Sequence, residues 1–231
     1  MRGQRATPPV ISNKDGFKLA HTSRQIASER ASLVAEARGG SGDLEFMRRT
    51  ARISYDAAER MAKITASKPA VEYPDTYLGR HLRLVSQLVR GGFGTRVFHV
   101  ALGGFDTHAS QESVHGALMQ KLDGALTAFQ RDLVAAGLKD RVTKLVFSEF
   151  GRRGRENGSR GTDHGKGNPV LLLGGGLRGG QLGRVPDLRH LEDGDVPSDI
   201  DFRGIYRQLE EDWLGLERFT EGRIDAPAFL A

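Results

Sequence analysis

The spacing of apolar residues predicts two helices in the first part of the chain. They are expected between about residues 21 and 66, on either side of the glycine-rich breaker at 39–42 (GGSG). In the second helix apolar residues recur every three or four positions, as one helical face requires. These residues are Leu44, Met47, Ala51, Tyr55, Ala58 and Met61. A proline-bearing linker at 68–74 ends this part, because proline disfavours helix in the residue before it. The pattern therefore predicts a helical N-terminal segment over residues 1–72.

From residue 73 onward, helical spacing alternates with short apolar runs. The spacing predicts helices over 76–89 and about 114–136, and a closing helix over 201–214 that Asp199 or Asp201 could cap. The apolar runs at 95–102 (TRVFHVAL), 142–147 and 169–173 predict buried strands. Because a helix connects the first two runs, they are expected to pair in parallel with a right-handed crossover. Residues 73–231 are thus expected to form an α/β domain with a mostly parallel sheet.

Composition indicates a soluble globular chain. Hydrophobic residues make up 38% and charged residues 27% of the 231 residues, which does not match the composition of disordered chains. The formal net charge is +5, but 29 acidic residues are interspersed with the basic ones, so the sequence does not favour nucleic acid as a partner. No apolar run is long enough to span a bilayer, and residues 1–10 lack the apolar core of a signal peptide. The chain alone therefore predicts no membrane anchor and no particular location.

The absence of cysteine restricts the chemistry that the chain can support. It excludes disulfides, a thiolate nucleophile and thiolate ligands, so a metal would be held by histidine, carboxylate or carbonyl groups. Such polar residues cluster beside the predicted strands. Asp106 and His108 follow the first strand, Glu149 follows the second, and Asp163 and His164 precede the third.

Parallel α/β sheets bind ligands outside the carboxyl ends of their strands, so these clusters are expected at one edge of the sheet. Three carboxylates and two imidazoles suit a divalent ion such as Zn²⁺ or Mn²⁺. A loop crowded with basic residues lies among them, and it could bind a small anion or simply be solvated. The basic residues are Arg152, Arg153, Arg155, Arg160 and Lys166. Arg152 and Arg153 are the candidates for binding an anionic ester substrate.

Structural roles are also open for each candidate ligand. Asp106 could cap a helix or form an Asx turn, Asp163 could bind the nearby backbone, and Glu149 could pair with Arg152 or Arg153. Within its predicted strand, His99 is expected to be a core or sheet-face residue. The remaining histidines lie in surface-like contexts and are not expected to be ligands: His21, His81, His115 and His190.

The sequence does not identify a catalytic nucleophile. The glycines between residues 174 and 180 lack the Lys-Ser/Thr sequence of a phosphate-binding loop, so a tight turn is the better interpretation. Ser148, Thr107 and Thr162 could act as nucleophiles only if a base activated them. None of them lies in a nucleophile-elbow motif.

Three stretches closely resemble the bacterial family called domain of unknown function 1501. They are GGFDTHASQ at 103–111, FSEFGRRGRENGSRGTDHGKGNPV at 147–170 and GGGLRGGQLG at 174–183. The resemblance runs from about Tyr73 to the segment DFRGIYRQLEEDWLG. This family is grouped with the alkaline phosphatase superfamily, which includes sulfatases and cofactor-independent phosphoglycerate mutases. The resemblance implies a three-layer αβα fold with two divalent metals.

The resemblance also assigns roles to the candidate ligands. Asp106 and His108 look like the ligand pair of one metal, and His164 looks like a further histidine ligand. Glu149 either replaces the aspartate that follows the preceding strand, or Asp163 and His164 are themselves the Asp-His pair of the superfamily. Both alignments fit the sequence.

Two features of the family have no counterpart in this chain. Members begin with a twin-arginine-type export signal and then carry a Gly-Gly-Pro-Ser-like strand end with an early aspartate ligand. The nucleophile of the superfamily lies in that region as well. The resemblance therefore implies an alkaline-phosphatase-like domain truncated at its N-terminus, and an exported, periplasmic location for a full-length protein.

Three functions are consistent with these observations. The first is a metal-dependent hydrolase that acts on phosphate or sulfate esters. The second is a non-catalytic metal- or anion-binding or scaffolding protein that lacks the nucleophile region. The third, an anion- or nucleic-acid-binding module, rests only on the basic charge and predicts steep salt dependence of binding.

Overall fold

The computed structural model describes residues 42–217, 224 and 226–231, together with the isolated Ser28 and Ser32. The helix predicted to begin near residue 21 therefore lies outside the described residues, apart from those two serines. The chain divides into two compact units. The first comprises Met1–Lys68 and Gln87–Gly94, and the second comprises Pro69–Ser86 and Thr95–Ala231.

The first unit contains helix α1 (Asp43–Thr65), which confirms the second predicted helix. Ala58 and Met61 are buried on one face of α1, as the apolar spacing predicts, whereas Met47 of the same predicted face is 66% exposed. The amide of Gln87, which is 4% exposed, donates to the carbonyls of Thr65 and Ser67 at the end of the helix. The first bond satisfies a carbonyl in the last turn of α1 that has no intrahelical donor, and the second holds the chain just beyond the helix.

The second unit contains helix α3 (Gln111–Ala135) and most of helix α2 (Tyr77–Arg90). A shorter helix, α4 (Phe202–Gln208), continues into a π-helical turn, Leu209–Trp213. The predicted helices are confirmed, and Asp201 caps α4 by accepting from the backbone N–H of Arg203 at 2.9 Å. In the described part of the chain, no helix has the length and apolar character needed to cross a membrane.

Asp132 of α3 is fully buried and joins three segments of the second unit. Its carboxylate accepts hydrogen bonds from the backbone N–H of Ala70 at 2.8 Å, the hydroxyl of Tyr73 at 3.0 Å and the hydroxyl of Ser86 at 2.5 Å. The buried apolar residues of the same unit include Leu78, Leu82, Ala125, Ala128, Phe129 and Leu133. A buried carboxylate is tolerated when hydrogen bonds replace its hydration, so these donors compensate for its burial.

The strands form two small antiparallel sheets. Strand β1 (Thr143–Val146) pairs with β4 (Leu171–Gly174), with Thr143 opposite Gly174 and Val146 opposite Leu171. Strand β2 (Gly151–Arg152) pairs with β3 (His164–Gly165), which places Arg152 opposite His164. The second sheet is a short hairpin-like pair. It is formed by the two ends of residues 151–165, which are called the arginine-rich loop below.

The predicted three-layer αβα fold with a mostly parallel sheet is wrong for the described part of the chain. Residues 95–102 form no strand there, and Val97 is 67% exposed. The other two predicted strands form as β1 and β4, but they pair antiparallel. A parallel pair needs a long crossover, usually a helix, and residues 147–170 contain none. The helix before β1 therefore does not serve as a crossover between paired parallel strands.

Candidate metal centre

Three side chains of the second unit meet at one point on the surface. They are Asp106, His108 and His164, and one potential ligand atom from each lies within 4.8 Å of the other two. Asp106 Oδ1 is 2.7 Å from His164 Nε2 and 3.0 Å from His108 Nε2. The two Nε2 atoms are 3.2 Å apart. The side chains are between 48% and 63% exposed, so the cluster faces solvent.

The spacing of these atoms fits shared coordination of a divalent ion. Ligand atoms about 2.1 Å from one ion, at right or tetrahedral angles, lie about 3.0–3.4 Å from one another. The observed separations of 2.7, 3.0 and 3.2 Å are close to that range. Two imidazoles and one carboxylate also form the donor set that Zn²⁺ and related ions accept in proteins.

The β2–β3 pair positions His164 on its strand. The imidazole stacks on the ring of Phe150, with centroids 4.0 Å apart and an interplanar angle of 12°. The guanidinium carbon of Arg152 in turn lies 5.0 Å from the centroid of Phe150. These contacts limit rotation of the imidazole, so Nε2 stays directed at Asp106.

Asp163 contacts the ring nitrogen of His108 that faces away from Asp106 and His164. Asp163 Oδ1 lies 3.3 Å from Nδ1 of His108, while Nε2 of that ring faces Asp106 and His164. A carboxylate that accepts from Nδ1–H leaves a lone pair on Nε2, which is the form that binds metals. Asp163 is thus placed to orient a ligand, His108, and is not itself one of the three clustered ligands.

Arg152 holds together the two loops that carry the cluster. Its guanidinium donates to the carbonyl of Thr162 at 2.6 Å and to the carbonyl of Phe105, and it lies 3.7 Å from Asp106 Oδ1. The side chain is only 19% exposed. Arg153, its neighbour in sequence, is exposed. Of the two arginines predicted to bind an anion, Arg153 is therefore the more accessible to solvent.

Both aspartates are held in the charged form. The hydrogen bond from His164 lowers the pKa of Asp106 below its usual value, and the charges of His108, His164 and Arg152 act in the same direction. The pKa of Asp163 is lowered by hydrogen bonds from Asn157 and His108 and by the charges of His108 and Arg153. The site therefore presents two carboxylates as anions at neutral pH, as a cation requires.

The family model described as Protein of unknown function (DUF1501) matches residues 17–196. The chain belongs to this family. The match contains all the candidate ligands, begins well before Tyr73 and ends before the segment DFRGIYRQLEEDWLG at 201–215. The chain matches no curated protein and no solved structure.

The structure of this DUF1501 chain brings together some of the predicted ligands and separates another. Asp106, His108 and His164 form the cluster, and Asp163 lies against His108. Glu149 is exposed and belongs to no cluster of three or more potential ligands within the described residues. His99, expected in the core or on a sheet face, is exposed, because residues 95–102 do not form the predicted strand.

Two residues that shape the candidate site were not predicted from the sequence. Phe150 supports His164, and Asn157 contacts the segments of both His108 and Asp163. Thr107 was considered only as a possible nucleophile, and its buried hydroxyl lies 3.4 Å from Arg152 Nη2. The Asn157-Gly158 dipeptide is a recognised turn signal that could have drawn attention to this loop. Nothing comparable marks Phe150, whose role depends on the antiparallel pairing of β2 and β3.

A separate cavity of about 430 Å³ lies elsewhere in the second unit. It is lined by Val71, Glu72 and Pro74 and by the middle of α3, including Asp123 and Arg131. None of the predicted ligands or anion-binding residues lines this cavity. The candidate chemistry of the chain therefore lies on an open surface and not in this hollow.

Proposed function

We propose that this chain binds a divalent ion, Zn²⁺ or Mn²⁺, through Asp106, His108 and His164. The observation that carries the proposal is the convergence of their three ligand atoms within 4.8 Å. Three protein ligands leave further coordination positions open, as in catalytic rather than structural sites. Glu149 remains a predicted ligand by resemblance, although it is exposed and lies outside the cluster.

We further propose that the site hydrolyses phosphate or sulfate esters. The support is the likeness of the segments around Asp106 and His164 to metal-ligand motifs of the alkaline phosphatase superfamily, together with the arginine-rich loop beside them. This likeness concerns the motifs alone, since the part of the chain that the structure describes does not have the predicted fold of that superfamily. When bound, a divalent ion supplies a Lewis acid that polarises an ester oxygen.

The residues of the chain have separate tasks in this proposal. Asp163 keeps the Nε2 lone pair of His108 directed at the site, and Phe150 fixes the plane of the His164 ring. Arg152 maintains the spacing of the two loops. Arg153, exposed and near enough to Asp163 to lower its pKa, is placed to attract the anionic ester.

One observation favours the alternative of a metal- or anion-binding protein without turnover. Thr107, whose hydroxyl is nearest in sequence to Asp106 and His108, is 6% exposed, and that hydroxyl lies 3.4 Å from both the Phe105 carbonyl and Arg152 Nη2. A buried hydroxyl held in this way is a poor nucleophile. Hydrolysis at this site would therefore not use the Thr107 hydroxyl as the attacking group, and a scaffolding role would need no attacking group.

Turnover with generic esters separates the two functions. The chain, supplied with Zn²⁺ or Mn²⁺, is assayed with p-nitrophenyl phosphate and p-nitrophenyl sulfate, and metal binding is measured on the same samples. Hydrolysis that requires the metal and disappears in Asp106→Asn supports the hydrolase. Metal binding without hydrolysis of either ester contradicts it and favours the non-catalytic function.

A further inference from the structure

The side-chain amide of Asn157 connects the turn that contains it to the segment of His108. Its Nδ2 donates to the carbonyl of His108 at 3.0 Å and to Asp163 Oδ1 at 3.3 Å. Its Oδ1 accepts from the backbone N–H groups of Ser159 at 2.9 Å and Gly161 at 3.1 Å. A primary amide offers two donors and two acceptor sites, so Asn157 makes every hydrogen bond that its side chain can form.

This pattern requires an asparagine. The orientation of the amide is fixed, because Oδ1 faces two N–H donors and Nδ2 faces two oxygen acceptors. An aspartate of the same shape would keep the bonds to Ser159 and Gly161. It would, however, place an oxygen against the His108 carbonyl and the Asp163 carboxylate, where both contacts would be repulsive.

Backbone hydrogen bonds hold the same turn against the start of α3. The N–H of Ser110 donates to the Ser159 carbonyl at 3.1 Å, and the N–H of Gln111 donates to the Arg160 carbonyl at 2.9 Å. Ser110 and Arg160 both have positive φ, at 46° and 59°, which costs non-glycine residues energy unless the surroundings enforce it. The turn at 157–161 is therefore held by several contacts, of which Asn157 is the one that reaches His108 and Asp163 together.

We propose that Asn157 is a positioning residue that sets His108 for metal binding. It acts at two places, because it fixes the backbone of His108 and also the carboxylate that orients the imidazole of His108. The inference rests on the proposed metal site and deepens it. The two N–H donors of Asn157, and not the turn alone, keep Nε2 of His108 beside Asp106 and His164.

The substitution Asn157→Asp removes the two N–H donors to His108 and Asp163. It retains the oxygen that accepts from Ser159 and Gly161, so it tests the donors separately from the turn. We expect its affinity for Zn²⁺, measured by competition with a chromophoric chelator, to fall about tenfold, within the range found for residues that support metal ligands. At longer range the added negative charge would attract the cation and strengthen its binding, so a loss of affinity is attributed to the altered contacts with the His108 carbonyl and Asp163. The matched control is Asn168→Asp, because Asn168 Nδ2 also donates to a loop carbonyl, that of Ser148, at 3.0 Å. Its affinity should not fall.

A measurement without metal keeps the two proposals distinguishable. In the metal-free protein at constant pH, the imidazole ring resonances of His108 should shift in Asn157→Asp and stay in place in Asn168→Asp. Wild-type protein that binds neither Zn²⁺ nor Mn²⁺ would end the proposed function, and these resonances would then decide the role of Asn157 alone. Unchanged resonances overturn that role, as does a Zn²⁺ affinity that is unchanged in Asn157→Asp or reduced equally in both variants.

Discussion

The ring of Phe150 stacks on the imidazole of His164, with centroids 4.0 Å apart and planes inclined by 12°. Because Phe150 directly precedes β2 and His164 lies in β3, this contact couples the small sheet to the candidate ligand cluster. An aromatic pair of this kind contributes about 0.5–1.5 kcal/mol beyond the burial of its area. The sheet is thus a support for one imidazole as well as a link between two loops.

Replacing Phe150 tests this support. Phe150→Ala should weaken metal binding about two- to tenfold, the equivalent of the energy of an aromatic pair, because the His164 ring gains rotational freedom. Phe150→Tyr keeps the stacked ring and should bind metal with the affinity of the wild type. Isothermal titration with Zn²⁺ measures both. Equal affinities in all three proteins would show that the stack does not position His164.

Two glycines of the arginine-rich loop should respond differently to alanine. A Cβ at Gly161 would lie 2.2 Å from the carbonyl carbon of His108, whereas a Cβ at Gly158 would meet nothing within 4 Å. Gly161→Ala must therefore push the His108 backbone away, at a cost of about 1–3 kcal/mol in unfolding free energy. It should also lower metal affinity, while Gly158→Ala should change neither quantity. Urea unfolding and metal titration on the pair would provide the comparison, and identical behaviour would contradict the close approach.

The buried carboxylate of Asp132 should dominate the stability of the second unit. Asp132→Ala leaves the donors of Ala70, Tyr73 and Ser86 without their acceptor, and each such buried group costs about 1–3 kcal/mol. We expect a loss of at least about 3 kcal/mol in unfolding free energy, measured with urea. Asp140→Ala, at an exposed position, is the control and should stay near the wild type. A small effect of Asp132→Ala would mean that water replaces the carboxylate.

Acid should weaken the start of α4 within a defined pH range. The side-chain and backbone hydrogen bonds from Arg203 lower the pKa of Asp201 to about 2. A lowered pKa means that the charged cap stabilises the fold above the unfolded value of about 3.9, and that this stabilisation is lost as pH falls towards 2. Asp201→Asn keeps a capping oxygen without the charge, so its melting temperature should depend less on pH between about 4 and 2. Parallel curves for the two proteins over that range would rule out this contribution.

Local patterns in the sequence predicted the helices, whereas the pairing of strands was wrong. The helical periodicity of apolar residues in α1, α2 and α3 is set by residues that are close together in the sequence, so it can be recognised locally. Strand pairing depends on distant segments, and the run at 95–102 looks like a strand by composition while no described residue pairs with it. The direction of β4 relative to β1 likewise depends on the path of residues 147–170, which composition does not specify.

The candidate cluster was more predictable than the sheet that was expected to carry it. Asp106, His108 and His164 were singled out because they lie beside predicted strands whose carboxyl ends were expected to share one edge of a parallel sheet. Their approach does not require a parallel sheet, since the antiparallel β2–β3 pair and the bonds of Arg152 bring the loops together. The supporting roles of Phe150 and Asn157 could not be predicted, because they depend on contacts across those loops.

Metal binding by single-histidine variants tests whether His108 and His164 hold a divalent ion. Purified wild type, His108→Ala, His164→Ala and His190→Ala are equilibrated with Zn²⁺ or Mn²⁺, freed of unbound ion and examined by elemental analysis. His190 is a matched control, because it also contacts an aspartate, Asp187, at 2.9 Å but lies outside the cluster. Wild type and His190→Ala should retain the ion, and the other two variants should lose it. Metal content unchanged by both His108→Ala and His164→Ala would show that these histidines do not bind the ion.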